Sequence, residues 1–131
     1  MNEQTTLPEE QPPVWIVDCE QWPRANLRAE LIERGYDATG YIALGPVLSA
    51  LRRTATRKPL VLVVDLHGQS VSEPDFKELA ASDVPVVLIE GSVESQLEGV
   101  SARQWAAVLK RPVTLGEVAD LVERIISGCR R

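Results

Sequence analysis

Short runs of apolar residues alternate along this chain with segments in which apolar residues recur every three or four positions. The run from Leu60 to Val64 is the most hydrophobic and β-branched of them, and Val84 to Ile89 is similar in character. Strands without a polar face are typical of a parallel sheet that helices cover on both sides. The alternation therefore predicts an α/β domain with a doubly wound sheet.

Five strands and the helices between them are predicted from this pattern, with the strands near 14–17, 38–43, 60–64, 84–89 and 105–109. Helices are expected to begin near Pro23 and Pro46, since proline suits a first helical turn. Ser72 has the character of an N-cap, and Thr114 with Glu117 matches a capping box. The stretch 92–101 has few apolar residues, so any helix there is expected to be short.

The chain is expected to form a single domain. Its 131 residues suit one hydrophobic core, and a 44% hydrophobic share can build that core without disulfides or a structural metal. Residues 1–13 are polar, acidic and proline-rich, which predicts a flexible leader. The predicted domain covers 14–128, and 129–131 form a short C-terminal tail.

Charge and cysteine content exclude several classes of function. The net charge of -5 argues against binding of nucleic acid or of a membrane surface, because both require a basic patch. Cys19 and Cys129 form no C-x-x-C pair and suggest neither a zinc site nor a disulfide framework. No secretory signal and no bilayer-length apolar run is visible, so a cytoplasmic location is expected.

Polar residues follow the ends of four predicted strands, where ligand sites of doubly wound sheets lie. These groups are Asp18 to Glu20, Asp65 to Gly68, Glu90 to Ser92 and Lys110 to Pro112. In their order and spacing, the segments VWIVDCEQWPRANL, VLVVD, VPVVLIEG and LKRPV resemble a response-regulator receiver domain. The resemblance extends from Val14 to Ser127 and implies a five-stranded parallel sheet of the flavodoxin-like, receiver type.

The resemblance assigns roles to these strand-end residues. Asp65 takes the phospho-acceptor position, and Asp18 matches the first member of the family's acidic pair. Cys19 stands where the second acidic residue is expected, with Glu20 adjacent in the same acidic pocket. Asp18 and Asp65 would be the ligands of a Mg²⁺ ion. Binding should be weak or absent, because a thiol is a poor ligand for this hard cation.

Three further positions depart from the family's pattern. Glu90 occupies the hydroxyl-switch position, Arg111 the lysine position and Val108 the switch-aromatic position. We expect Glu90 and Arg111 to form a salt bridge that fills the site. By resemblance, the Arg111–Pro112 peptide bond should be cis.

These departures predict an atypical receiver, or pseudo-receiver, that has no catalytic activity of its own. Its output would be contact with a signalling protein, such as a histidine kinase or an output domain, or with a second copy in a homodimer. The resemblance implies that the last two elements of the fold form the partner face. No cofactor is expected beyond weakly bound Mg²⁺.

Two alternatives stay open at this point. One is a working phospho-receiver that accepts phosphate from a histidine kinase at Asp65. The other is a small-molecule module of the cobalamin-binding kind, because Asp65-Leu66-His67 matches part of the motif Asp-x-His-x-x-Gly. Ser70 stands at the glycine position of that motif. The sequence contains neither G-x-G-x-x-G nor a Walker loop, so nucleotide binding is not supported.

Overall fold

The computed structural model describes residues 11–91 and 104–129. Five strands form one sheet: β1 Pro13–Val17, β2 Asp37–Tyr41, β3 Val61–Asp65, β4 Val86–Glu90 and β5 Ala107–Lys110. Within the described residues the helices are α1 Gln21–Glu33, α2 Leu44–Arg52, α3 Glu73–Ala80 and α4 Leu115–Cys129. None of these helices is long and apolar enough to span a lipid bilayer.

All strand pairs of the sheet are parallel, and the strand order is β2-β1-β3-β4-β5. The chain runs outward from β1 to β2 and then returns past β1 to β3, so the topological switch point lies between β1 and β3. This architecture confirms the predicted doubly wound α/β fold. The carboxyl ends of β1 and β3 are therefore adjacent at the place where such sheets bind ligands.

Two hydrophobic cores cover the two faces of the sheet. Side chains of α1 and α4, including Leu31 and Val122, pack on one face, and side chains of α2 and α3, including Val47 and Phe76, pack on the other. Alternate residues of β1, β3 and β4 contribute to each core, which is why these strands have no polar face.

Several predicted boundaries differ by one or two residues from those observed. The fifth strand comprises Ala107–Lys110 instead of 105–109, and Trp105 precedes it and packs on Phe76 with 6.1 Å between ring centroids. Partly buried and exposed residues alternate along this edge strand, so no continuous apolar run marks where it begins and ends. β1 begins at Pro13, one residue before the predicted domain start, and its register pairs Pro13 with Asp37.

Both predicted helix starts with capping side chains are present. Ser72 Oγ accepts from the Asp75 backbone N–H at 3.4 Å, and the Ser72 N–H donates to Asp75 Oδ2 at 3.0 Å. The Thr114 and Glu117 pair forms the same reciprocal box at 2.7 and 3.1 Å. Three predicted segments lie wholly or largely outside the described residues: most of the leader, any short helix in 92–101, and the last two residues of the tail.

Candidate functional site

A cleft of about 300 Å³ opens at the carboxyl end of the sheet, between the first turns of α1 and α4. Its polar lining comes from the ends of three strands and from the two helix starts: Asp18, Glu20, Asn26, Asp65, Arg111 and Thr114. Its apolar lining consists of Pro23, Leu27, Ile89, Val113, Leu115 and Val118. Parallel strands bring their carboxyl ends to one edge, and this places residues that are far apart in sequence around a single cleft.

Asp65 is the last residue of β3, and its carboxylate is bound on one oxygen by two donors. Oδ1 accepts from Nη1 of Arg111 at 2.5 Å and from the His67 backbone N–H at 3.0 Å. The Asp65 side chain is 18% exposed, so this charge-assisted bond is only partly screened by water. The position predicted to accept the phosphoryl group thus holds an ion-paired carboxylate.

The predicted salt bridge between Glu90 and Arg111 is wrong, because Arg111 contacts Asp65 instead. Glu90 is 2% exposed, and its Oε2 atom has no hydrogen-bond partner among residues 11–91 and 104–129. Alternation along β4 explains the difference: Ile89 faces the core under α1 and α4, whereas Leu88 and Glu90 face the opposite side of the sheet. Glu90 therefore does not line the cleft that contains Asp65.

Asp18 follows β1 directly and is 8% exposed. Its Oδ1 accepts from the Glu20 backbone N–H at 2.9 Å, and Arg24 donates to its backbone oxygen at 2.8 Å. Burial raises the pKa of the Asp18 carboxyl above its ordinary value, and the nearby charges of Asp65 and Glu20 act in the same direction. The bond from the Glu20 N–H and the charge of Arg24 offset part of this increase.

Cys19 is partly buried beside the cleft, and its thiol donates to the His67 backbone carbonyl at 3.2 Å. The contact joins the loop after β1 to the loop after β3. A Cβ atom at Gly68 would lie 2.5 Å from Cys19 Sγ, and Gly68 has a φ of +73°, so glycine is required there on both counts. No sequence signal indicated this pairing of residues 48 positions apart.

The residues present are a poor fit for a tightly bound Mg²⁺ ion. This cation requires oxygen ligands in near-octahedral geometry. Asp18 and Asp65 supply carboxylates, but the thiol of Cys19 bonds to the His67 carbonyl, and Arg111 bonds to one oxygen of Asp65. Within residues 11–91 and 104–129, no three or more His, Cys, Asp or Glu side chains are grouped so that they could hold a metal ion.

The predicted switch-aromatic position does not line the cleft. Val108 in edge strand β5 is 39% exposed, and the Arg111–Pro112 peptide is cis, as expected. Sequence reasoning missed Asn26 and identified Thr114 only as a helix cap, although both line the cleft. The spacing of Asn26 from Pro23 could have indicated that both line the cleft, since residues three apart share one face of α1.

The backbone is similar to solved structures of response-regulator receiver domains. The beryllofluoride-activated NtrC receiver domain is 30% identical, with a TM-score of 0.71, and the match covers 90% of this chain and 96% of that domain. A response regulator receiver protein from Pseudomonas putida is 26% identical, with a TM-score of 0.71 and coverage of 87% and 97%. Full-length FixJ from B. japonicum shares the fold at 17% identity and a TM-score of 0.71, with 88% of this chain but 58% of FixJ covered. No protein-family model and no curated protein sequence matches this chain.

Proposed function

The chain belongs to the response-regulator receiver family, and we propose that it signals through protein contacts with a degenerate phosphorylation site. Receiver domains are signalling modules of two-component systems. In this proposal, the chain retains the fold and the acceptor aspartate of the family but lacks a competent metal site. The proposed signalling domain comprises residues 14–128.

The observation that carries the proposal is the hydrogen bond from Cys19 to the His67 carbonyl at 3.2 Å. A carboxylate at position 19 would present an oxygen to a cation, whereas this thiol is directed at another potential oxygen ligand. Without the cation, the negative charge of an incoming phosphoryl group would meet the carboxylates of Asp18 and Asp65 with only the Arg111 guanidinium to offset it. Phosphoryl transfer to Asp65 is therefore expected to be slow.

The departures from the family's pattern at Glu90 and Arg111 are also expected to slow phosphoryl transfer to Asp65. A hydroxyl at position 90 would have to donate a hydrogen bond to a phosphoryl oxygen, but Glu90 is an acid on the far face of β4. Arg111 keeps a positive charge at the site, and its guanidinium already binds Asp65 Oδ1 at 2.5 Å. Arginine also differs from lysine in favouring planar pairing with a carboxylate.

The proposed output is contact with a signalling partner, such as a histidine kinase or an output domain, or with a second copy of the chain. β5 and α4 are the proposed contact face. β5 lies at the edge of the sheet, and Val108 and Lys110 are exposed on it. An edge strand with unpaired backbone groups favours association with another chain.

A working phospho-receiver is the second candidate, because Asp65 ends β3 with a cationic side chain beside it. The cobalamin-binding alternative has no support, since the similar structures described above are receiver domains or regulators.

Intact-mass analysis after incubation with acetyl phosphate and Mg²⁺ separates the two candidates. Asp65→Asn is the blank, and Cys19→Asp with Arg111→Lys is the control variant that restores two family residues. We expect no adduct on the natural chain. A stoichiometric phosphoryl adduct that is lost in Asp65→Asn would overturn the degenerate-site proposal and establish a phospho-switch.

A further inference from the structure

We propose that the outer face of α1 is an interaction surface on which two copies of this chain pair their α1 helices in parallel. The inference rests on the proposed function only in that a protein contact is the output of the domain. It uses neither the acceptor position at Asp65 nor the face formed by β5 and α4. The groove beside α1 lies at edge strand β2, whereas β5 is the opposite edge of the sheet, so an experiment can separate the two surfaces.

Apolar residues recur on the solvent side of α1 at alternating spacings of three and four positions. They are Trp22, Ala25, Ala29 and Ile32, and all four are exposed. The core side of the same helix carries Leu27 and Leu31, which are buried. A second apolar stripe, away from the core of the domain, matches the a and d positions of a coiled-coil seam. The side chains of Trp22 and Ile32 are 73% and 44% exposed, and exposed apolar residues grouped in this way mark interaction sites.

The stripe has small residues at its centre and large residues at its ends. Ala25 and Ala29 allow two helix axes to approach closely, while Trp22 and Ile32 supply most of the apolar area. An open groove of about 760 Å³ runs beside the stripe, between α1 and edge strand β2. A second helix therefore has room to lie along α1, over the part of the groove that Ala25, Ala29 and Ile32 line.

The polar residues that flank the stripe favour a second copy of this chain as the partner. With Ala29 at an a position, Arg28 falls at g and Glu33 at e. In a parallel pair, a g residue faces the e residue that lies five positions later in the partner helix, so Arg28 would face Glu33 of the second copy. The same rule places Gln21 opposite Asn26 of the second copy, where the two side-chain amides can form hydrogen bonds.

The charges of Arg28 and Glu33 are not paired within the part of the chain that the structure describes. No ion pair there includes either residue. Arg28 Nε donates to the Ala38 carbonyl at 2.9 Å, which holds the side chain on the flank of α1 that faces β2. In an antiparallel pair Arg28 would face Arg28 of the second copy, and Glu33 would face Glu33. Charge complementarity therefore selects the parallel orientation.

The pairing is expected to be weak. The helix α1 has 13 residues, which is less than two full heptads, so the buried area lies at the low end for transient contacts. Because Leu27 and Leu31 already hold α1 in its helical form, pairing does not require the helix nucleation that is unfavourable for an isolated segment of this length. We expect a Kd of about 0.1–1 mM for the dimer.

Sedimentation equilibrium of the full chain, at concentrations from about 0.02 to about 2 mM, measures this association. Ala29→Asp places a charge at the centre of the stripe and should weaken the dimer more than tenfold, because that charge would be buried without a partner. Ala80→Asp is the matched control, since Ala80 is likewise an exposed alanine in a helix but belongs to α3. This control should associate as the natural chain does.

Charge exchange between positions 28 and 33 tests the pairing of the two copies and does not depend on Ala29→Asp. Arg28→Glu and Glu33→Arg should each weaken the dimer about tenfold, because each replaces two attractive pairs with two repulsive ones. The double variant restores opposite charges across the seam and should return the Kd to that of the natural chain. An equal mixture of the two single variants should associate more strongly than either variant alone.

A natural chain that stays monomeric up to about 2 mM would overturn the inference. A double variant that associates no better than the single variants would overturn it as well. Association that Val108→Lys abolishes and Ala29→Asp leaves unchanged would assign the contact to β5, which would overturn the inference while the proposed function stands. A stoichiometric phosphoryl adduct on Asp65 would overturn the degenerate-site proposal whatever the association state.

Discussion

Replacement of Cys19 with aspartate introduces the carboxylate that the proposed alignment with the family places at this position, and we expect the variant to depend on Mg²⁺ for stability. In the natural chain the Cys19 thiol donates to the His67 carbonyl at 3.2 Å. A carboxylate cannot donate, so two acceptors would face each other at that point. The new charge would also lie in the same pocket as Asp18 and Asp65, and the pKa of Asp18 is already raised by burial and by its acidic neighbours.

The expected loss of stability without metal follows from these two effects. The lost hydrogen bond contributes about 0.5–1.5 kcal/mol. Repulsion between like charges a few ångströms apart adds about 1 kcal/mol in a largely solvated site. Cys19→Asp should therefore lower the free energy of unfolding by about 1–3 kcal/mol in the absence of Mg²⁺. A cation present at ten times its Kd would return about 1.4 kcal/mol of this loss.

Urea denaturation followed by circular dichroism, with and without MgCl₂ at constant ionic strength, measures both quantities. Cys19→Ser is the matched control, because its hydroxyl keeps a donor toward His67 and adds no charge. This control and the natural chain should unfold at urea concentrations that Mg²⁺ leaves nearly unchanged.

Two results would refute the reasoning. A gain from Mg²⁺ in the natural chain as large as that in Cys19→Asp would mean that the thiol does not impair the metal site. No gain in Cys19→Asp would mean that residue 19 does not lie at a metal position, which would contradict the alignment with the family.

Three further substitutions probe individual contacts. Glu90→Met should raise the free energy of unfolding by about 1–3 kcal/mol in urea titrations, since it removes a buried carboxylate whose Oε2 has no hydrogen-bond partner in the part of the chain that the structure describes; a less stable variant would contradict this. Burial raises the pKa of Asp18, so the folded state binds a proton at this carboxyl more tightly than the unfolded state does. Protonation of Asp18 therefore stabilises the folded state at low pH, and this stabilisation is lost as pH rises through the folded-state pKa. Asp18→Asn should therefore be more stable than the natural chain at pH 7, and urea midpoints should converge below about pH 4. Gly68→Ala should lower the thermal midpoint, with a cost of about 1–2 kcal/mol from the left-handed backbone and the contact with Cys19 Sγ, and an unchanged midpoint would refute that contact.

The sequence alone determined the architecture and which strand ends surround the cleft. Strands β1, β3 and β4 are buried on both faces, and such strands appear as continuous apolar runs that need no tertiary information to recognise. The capping boxes can also be recognised from the sequence alone, because each joins residues only three positions apart. Edge strand β5 was misplaced by two residues, since half-buried edge strands lack a continuous run.

Only the tertiary structure decided which partners the site residues take. The sequence places Glu90 and Arg111 at the ends of neighbouring strands, yet the register and the alternation of side chains turn Glu90 to one face of the sheet and leave Arg111 to pair with Asp65 on the other. The bond from Cys19 to the His67 carbonyl depends likewise on two loops that meet only when β1 and β3 are paired. Apolar pattern is a local property of the chain, whereas the direction of a side chain at a strand end depends on strand register and on the layers that cover the sheet.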